Sequence, residues 1–320
     1  MWSDPGAIVR AVLGEEPRFS LDEVVAESGV SLEQTRRLWR ALGFPEADGN
    51  VYTAADGKAL GALGASIDSG VLDFDLSVAM ARALGQTMAR LADWEVGAIV
   101  HRLEELPSDA ERSDRVDLAL RMLDDLSVGF ESVMVYAWRR HLAAAVSRIV
   151  ALGGDDALNT TQLTVGFADI VAFTQLSNDL SRQRIGDLVE LFELRCSDVV
   201  TSQHGRVIKS IGDSVLFVND DPIRAYDTAE GIINVIGRDH RMPDVRVGLA
   251  TGAVVMRLGD VFGPPVNMAA RLTAVARRNR IIVDSALAAL LPEDQFETRR
   301  LPARPVRGFG LVEPVAVRRH

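Results

Sequence analysis

Lysine is almost absent from this chain: of 35 basic residues, only Lys58 and Lys209 are lysine. Lys209 sits in Arg206-Val-Ile-Lys209-Ser-Ile-Gly212-Asp213, at the end of an apolar run and just before a tight turn. A compact three-donor ammonium differs there from a planar guanidinium, so a chain this biased toward arginine keeps lysine by chance or where arginine would fail. Gly212 permits a hairpin with Asp213 at its tip. A second aspartate ends the apolar strand Leu163-Thr-Val-Gly-Phe167, in Phe167-Ala-Asp169-Ile170, and is costly to bury unpaired. Two aspartates on adjacent sheet elements can hold two Mg²⁺ or Mn²⁺ ions as hard oxygen ligands. Taken singly, Asp169 reads equally well as a cap for the following turn, and a Gly-Asp turn is common.

A third segment is Asp260-Val-Phe-Gly263-Pro-Pro-Val266-Asn267-Met-Ala269-Ala-Arg271. Pro264 or Pro265 can begin a helix. Asn267 and Arg271 then lie four apart on one face. A neutral amide and a guanidinium presented together suit a sugar or a leaving phosphate, although Arg271 alone also reads as a solvated helix residue. The spacing D-x-x-G-x-x-V-N-x-A-x-R is long and specific.

Together these segments resemble the class III adenylyl cyclases, over about residues 160 to 317. The resemblance implies an α+β catalytic domain with a ferredoxin-like βαββαβ core, and conversion of ATP to 3′,5′-cyclic AMP and pyrophosphate. It implies that two such domains pair head to tail, here as a homodimer. Asp169 and Asp213 would bind two metal ions, Mg²⁺ or Mn²⁺, in each active site. Lys209 and Asp260 would read the adenine, Asn267 would orient the ribose, and Arg271 would stabilise the transition state. The two aspartates would come from one chain and the other four residues from its partner. Many members also place a basic residue against the terminal phosphates from a Gly-containing loop. Arg307, in Val306-Arg307-Gly308-Phe309-Gly310, is the candidate, but Phe309 stands where some relatives are basic.

The elements that must position these residues change character along the chain. Residues 1–152 read as helix, and residues 153–320 as strands mixed with crossing helices. Ser20 with Glu23 forms a capping-box signal, and Ser31 repeats the device before a helix that Gly43 stops. Thr53 and Asp56 start another. A helical pattern runs from Leu72 to Leu106, ended by Pro107, and two more helices follow near 112–125 and 127–150. The last holds Phe130, Val133, Tyr136, Trp138, Leu142 and Ile149, and reads as buried on most sides, shared between domains or subunits. Gly153-Gly154-Asp155-Asp156 marks the boundary. Beyond it, helices read over 182–201, 222–238 and 264–277, with strands over 207–208, 215–218, 245–251 and 280–283.

Composition bounds the rest. The 48% apolar and 25% charged content is that of a globular protein. No apolar run approaches the roughly 18 residues of a membrane span, and no signal-like segment is read at the N-terminus. The single cysteine, Cys196, excludes an intrachain disulfide, reads as a buried helix residue and fits a reducing cytoplasm. Residues 1–150 hold 24 acidic and 15 basic residues, a poor surface for polyanions, so no nucleic acid is expected as a partner. Even so, residues 19–63 resemble the small helix-turn-helix of MerR-type regulators, with Arg36, Arg37 and Arg40 where a groove reader would use them. That is the rival reading: a DNA-binding regulator with a nucleotide-binding module. Against it, residues 20–60 carry seven acids and four bases. The helical half also resembles the regulatory domains of some actinobacterial class III cyclases, which implies control by pH or lipid. His101 and His141 read as structural rather than as sensors, and a fatty acid among the apolar helices is a further possibility.

Overall fold

Each of the first helices is set by its cap. Ser20 and Ser31 both accept a backbone N–H from the third residue on, and Glu23 and Gln34 reach back to the cap, closing two capping boxes. They open α1 (Leu21–Ser28) and α2 (Leu32–Ala41). At α3 (Ala54–Asp68) Asp56 Oδ2 accepts from both the N–H and the hydroxyl of Thr53, and α4 (Phe74–Glu104) and α5 (Arg112–Leu152) follow. Val24, Leu38, Trp39, Tyr52, Leu60 and Val78 form the core of this half, with Trp39 edge-on to Tyr52.

The computed structural model describes residues 10, 12–46, 49, 51–104, 112–152, 161–257 and 259–320. The chain divides into two units, Met1–Ala145 and Val146–His320. That division falls within α5; the Gly153–Asp156 break and Pro107 lie outside the described residues. Two sequence expectations change here. The helices read near 112–125 and 127–150 are one continuous helix, because Asp124, Asp125 and Ser127 cost only tenths of a kcal/mol each inside a helix, too little to break it. Its apolar residues are also not buried within one chain: Val133, Tyr136, Trp138, Leu142 and Ile149 are all exposed.

In the second unit, β1 (Thr161–Ile170) leads through α6 (Phe173–Asp179) and α7 (Arg182–Ser202) to the hairpin β2 (Arg206–Ile211) and β3 (Ser214–Asn219). Then come α8 (Pro222–Gly237) and β4 (Val245–Arg257). These four strands stand in the order β2-β3-β1-β4, every pairing antiparallel, which is the βαββαβ core expected. The sheet extends from β4 through β6 (Ile281–Val283) and β10 (Val315–Arg319) to β7 (Phe296–Arg300). Strand β4 outruns its expected end by six residues, and its tail pairs with β5 (Asp260–Phe262) outside the main strand order.

Alternation along the strands splits the core in two. Ala168, Ile170, Val215, Phe217 and Val247 point to one face, covered by Phe192 and Cys196 of α7 and Ile232 and Ile236 of α8. Cys196 is fully buried there. Leu163, Val165, Leu216 and Ala250 point to the other face, covered by Ala269 and Leu272 of α9 (Pro264–Val275). Helix α10 (Ser285–Leu290) adds Leu287 to the first layer, and β8 (Arg304–Val306) with β9 (Gly310–Val312) forms a separate hairpin.

Helix α9 can lie flat on the sheet only because β4 offers Gly248 beneath it. A Cβ at Gly248 would collide with the backbone N of Thr273 and the carbonyl O of Ala269. Gly248→Ala should therefore act as overpacking, about 1–3 kcal/mol of lost stability. For a unit of this size that lowers Tm by roughly 2–12 °C in calorimetry. Gly186→Ala in α7, where an added Cβ meets nothing within 4 Å, should be neutral or stabilising. Equal melting of both variants would contradict this packing account.

Candidate functional site

Strand β1 delivers Asp169 to a position in register with Ser214 of β3 on one side and Arg246 of β4 on the other. The aspartate is only 8% exposed, and each of its oxygens is taken. Ser214 Oγ donates to Oδ1 at 2.5 Å, and Arg246 Nε donates to Oδ2 at 2.7 Å. Arg246 Nη1 also donates to the carbonyl of Ala274 at 3.2 Å, tying the end of α9 to this corner. Asp213 stands in the β2–β3 turn, which Gly212 makes with a φ of 61°. Its carbonyl accepts the N–H of Ile170 at 3.0 Å, clamping the turn to β1.

The two carboxylates feel each other. The Asp213 carboxyl is pushed above its ordinary range, first by burial and then by the charge on Asp169, with its own N–H and Arg246 working the other way. A divalent cation would relieve that repulsion. Among the described residues no group of three His, Cys, Asp or Glu side chains could hold a metal. A cation here would therefore have two protein carboxylates and draw its remaining oxygens from backbone, water or ligand phosphates. That donor set fits Mg²⁺ or Mn²⁺ in a phosphate-handling site rather than an all-protein cage.

A second pair stands on the same unit. The β2 register shifts between Val207 and Lys209, a bulge that re-aims the lysine. Lys209 Nζ meets Asp260 Oδ2 of β5 at 2.5 Å. The side chains are 37% and 27% exposed, so the ion pair contributes no more than about 1 kcal/mol and opens readily. Burial works to raise the Asp260 pKa, but Lys209 and the N–H of Val261 prevail and hold it below the ordinary range.

Helix α9 carries the third pair. Gly263, at a φ of 145°, and the two prolines set its start, and Pro265, Ala269, Leu272 and Thr273 bury its inner face. Asn267 and Arg271 point outward, both exposed, with no hydrogen bond or ion pair recorded among the described residues. Arg307 sits apart in the β8–β9 hairpin. The Phe309 N–H donates to Val306 O at 2.9 Å and Gly308 has a φ of 89°, so Arg307 is the exposed first corner of a type II turn. Among the described residues, no hydrogen bond or ion pair joins it to the other six.

Arg246 and Ser214 were not expected from sequence. A lone arginine in Val245-Arg246-Val247 looks like any strand residue, and only the register opposite Asp169 gives it meaning. The arginines of the rival reading are occupied. Arg36 and Arg40 pair with Glu46 at 3.4 and 3.3 Å, and Arg37 pairs with Asp75 at 3.2 Å and stacks over Phe74.

Residues 156–317 match the family described as adenylate and guanylate cyclase catalytic domain. An adenylate cyclase of Streptomyces coelicolor is 35% identical, across 95% of this chain and 86% of the relative. One of Streptomyces griseus is 33% identical, across 95% and 86%. A pH-sensitive adenylate cyclase of Mycobacterium tuberculosis is 33% identical, across 97% and 81%.

The raised Asp213 pKa has a signed consequence. The fold favours the protonated acid, so its contribution is full at pH below the ordinary carboxylate range and is lost as pH rises through the raised folded value. Without divalent cations, Asp213→Asn should melt higher than the parent at pH 7, and the gap should close near pH 3. Mn²⁺ should raise the parent Tm and leave the variant unmoved. A variant less stable than the parent at pH 7 would show that the two carboxylates do not repel.

Proposed function

The chain belongs to the adenylate and guanylate cyclase family and is an adenylate cyclase, and we propose that it forms 3′,5′-cyclic AMP and pyrophosphate from ATP at a site shared by two copies. One observation carries the base choice: an ammonium donor and a carboxylate acceptor 2.5 Å apart, partly exposed and weakly held to each other. Adenine offers the complement, an acceptor at N1 and a donor at the 6-amino group. Lys209 donates to the first and Asp260 accepts from the second. Their own ion pair gives way to two bonds with the base.

Asn267 orients the ribose, and Arg271, four residues on, meets the charge that develops on the α-phosphoryl oxygens. Asp169 and Asp213 hold the divalent cations. When bound, these supply acidification of the ribose 3′-hydroxyl and neutralisation of the triphosphate for in-line attack. Arg246 balances Asp169 until a cation does so, and then lies free beside the phosphates. Arg307 takes the terminal phosphates from its exposed turn.

Two observations support a homodimer. Among the described residues Asn267 and Arg271 face outward with no hydrogen bond or ion pair, as residues completing another chain's site would. The apolar stretch of α5 is exposed in a single chain, and a helix apolar on most sides needs cover. The helical half then regulates the catalytic half. The two hollows described in the N-terminal unit are lined largely by charged residues, such as Glu15, Arg18 and Lys58 in one and Arg37, Arg40 and Arg82 in the other. Neither suits an acyl chain, so a fatty-acid ligand there gains no support. No helix among the described residues is long and apolar enough to cross a membrane. Nothing favours the DNA-reading alternative.

Guanine presents N1–H and O6, so Lys209 would face a donor and Asp260 an acceptor. Two mismatches at about 1–3 kcal/mol each should favour ATP over GTP by at least about thirtyfold in kcat/KM. Asp169→Ala should remove nearly all activity. Steady-state kinetics with both nucleotides tests this: comparable GTP turnover by the unmodified protein would contradict the base-reading roles.

A further inference from the structure

Helices α7 and α8 cover the face of the sheet opposite α9, and loop 238–244 leaves α8 beside them. Two adjoining hollows lie there, of about 550 and 540 Å³, sharing His240 and Arg241. Arg195, Arg238, His240 and Arg241 wall the first, around Asp239. Arg241 donates to Asp239 from Nε at 2.9 Å and from Nη2 at 2.7 Å, and Arg195 Nη2 lies 3.7 Å from it. That leaves cationic capacity unspent. Arg195 Nε is buried with no partner. Among the described residues no polar contact is recorded for the Arg238 side chain.

With His240 neutral, three arginines against one aspartate give this wall a net charge of +2, in a chain whose total is −10. The helix dipole explains one of them, since Arg238 caps the C-terminal end of α8. It does not explain Arg195, which enters the same hollow from α7. The second hollow is mainly apolar. Leu176 of α6, Leu180 just after it, Leu188 and Leu191 of α7, and Met242 line it, while the charges of Arg184 and Asp187 sum to zero.

We propose that the two hollows form one ligand site, separate from the ATP site, for a phosphate monoester carrying a short apolar group. A dianionic phosphate matches the +2 wall where a carboxylate would leave it half balanced. Guanidinium forks suit phosphate oxygens, and the exposed Arg238 side chain has no polar contact among the described residues to compete with them. The apolar group lies along the leucines next door. The phosphate could belong to a lipid head group or to a soluble monoester, since both present the same dianion.

Isothermal titration of the full chain with hexyl phosphate and with inorganic phosphate tests the site. Hexyl phosphate should bind at least about tenfold more tightly, the apolar group making the difference. Arg238→Glu and Arg195→Gln should each weaken both ligands about tenfold or more. Leu180→Asp should weaken hexyl phosphate and spare inorganic phosphate. A non-hydrolysable ATP analogue at saturation should leave these affinities unchanged, so the result does not depend on the catalytic assignments. Co-sedimentation with vesicles containing phosphatidic acid would assign the site to a lipid head group; titration without co-sedimentation would assign it to a soluble monoester. Equal affinity for the two probes, unchanged binding by both arginine variants, or competition by the ATP analogue would overturn the proposal.

Discussion

Two carboxylates held close together at one corner of a sheet set the terms for everything around them. Asp169 is almost fully buried, and Asp213 is pressed against its field by the Gly212 turn and by the bond from Ile170 N–H to the Asp213 carbonyl. Like charges in such a place raise the free energy of the fold unless a cation balances them. The protein answers with Arg246, set in register across β4, and with the Ser214 hydroxyl.

The same logic recurs at Lys209 and Asp260. Their ion pair is short but only partly buried, so it adds little stability and blocks nothing. It keeps both groups charged and aligned. Satisfied by each other, these pairs let the sheet fold around charged residues that would otherwise be costly. Asn267 and Arg271 need no such arrangement because α9 leaves them in solvent. Gly248 allows that helix to press close enough for Ala274 to reach Arg246.

Much of this was legible in the residues. The capping boxes at Ser20 and Ser31, the Gly212 hairpin and the Pro264 helix start are local signals, and local physics decided them. Arg246 was not legible, because its partner lies 77 positions away and only β1–β4 register brings them together. The meeting of Lys209 with Asp260 was expected from the resemblance alone; the bulge at Val207 and the β4–β5 extension that produce it left no sequence signal. The apolar stretch of α5 read as buried on most sides, yet it is exposed in the single chain, because periodicity reports only which residues are apolar and not what packs against them.

In the N-terminal half, Arg36 and Arg40 pair with Glu46 and Arg37 with Asp75. The central proposal is a site shared by two copies. The most direct measurement mixes inactive Asp169→Ala chains with inactive Arg271→Ala chains under conditions of subunit exchange and follows cyclic AMP. A shared site predicts recovery, since one site of each mixed dimer then holds every residue it needs. Exchange without recovery would show that each chain builds its site alone.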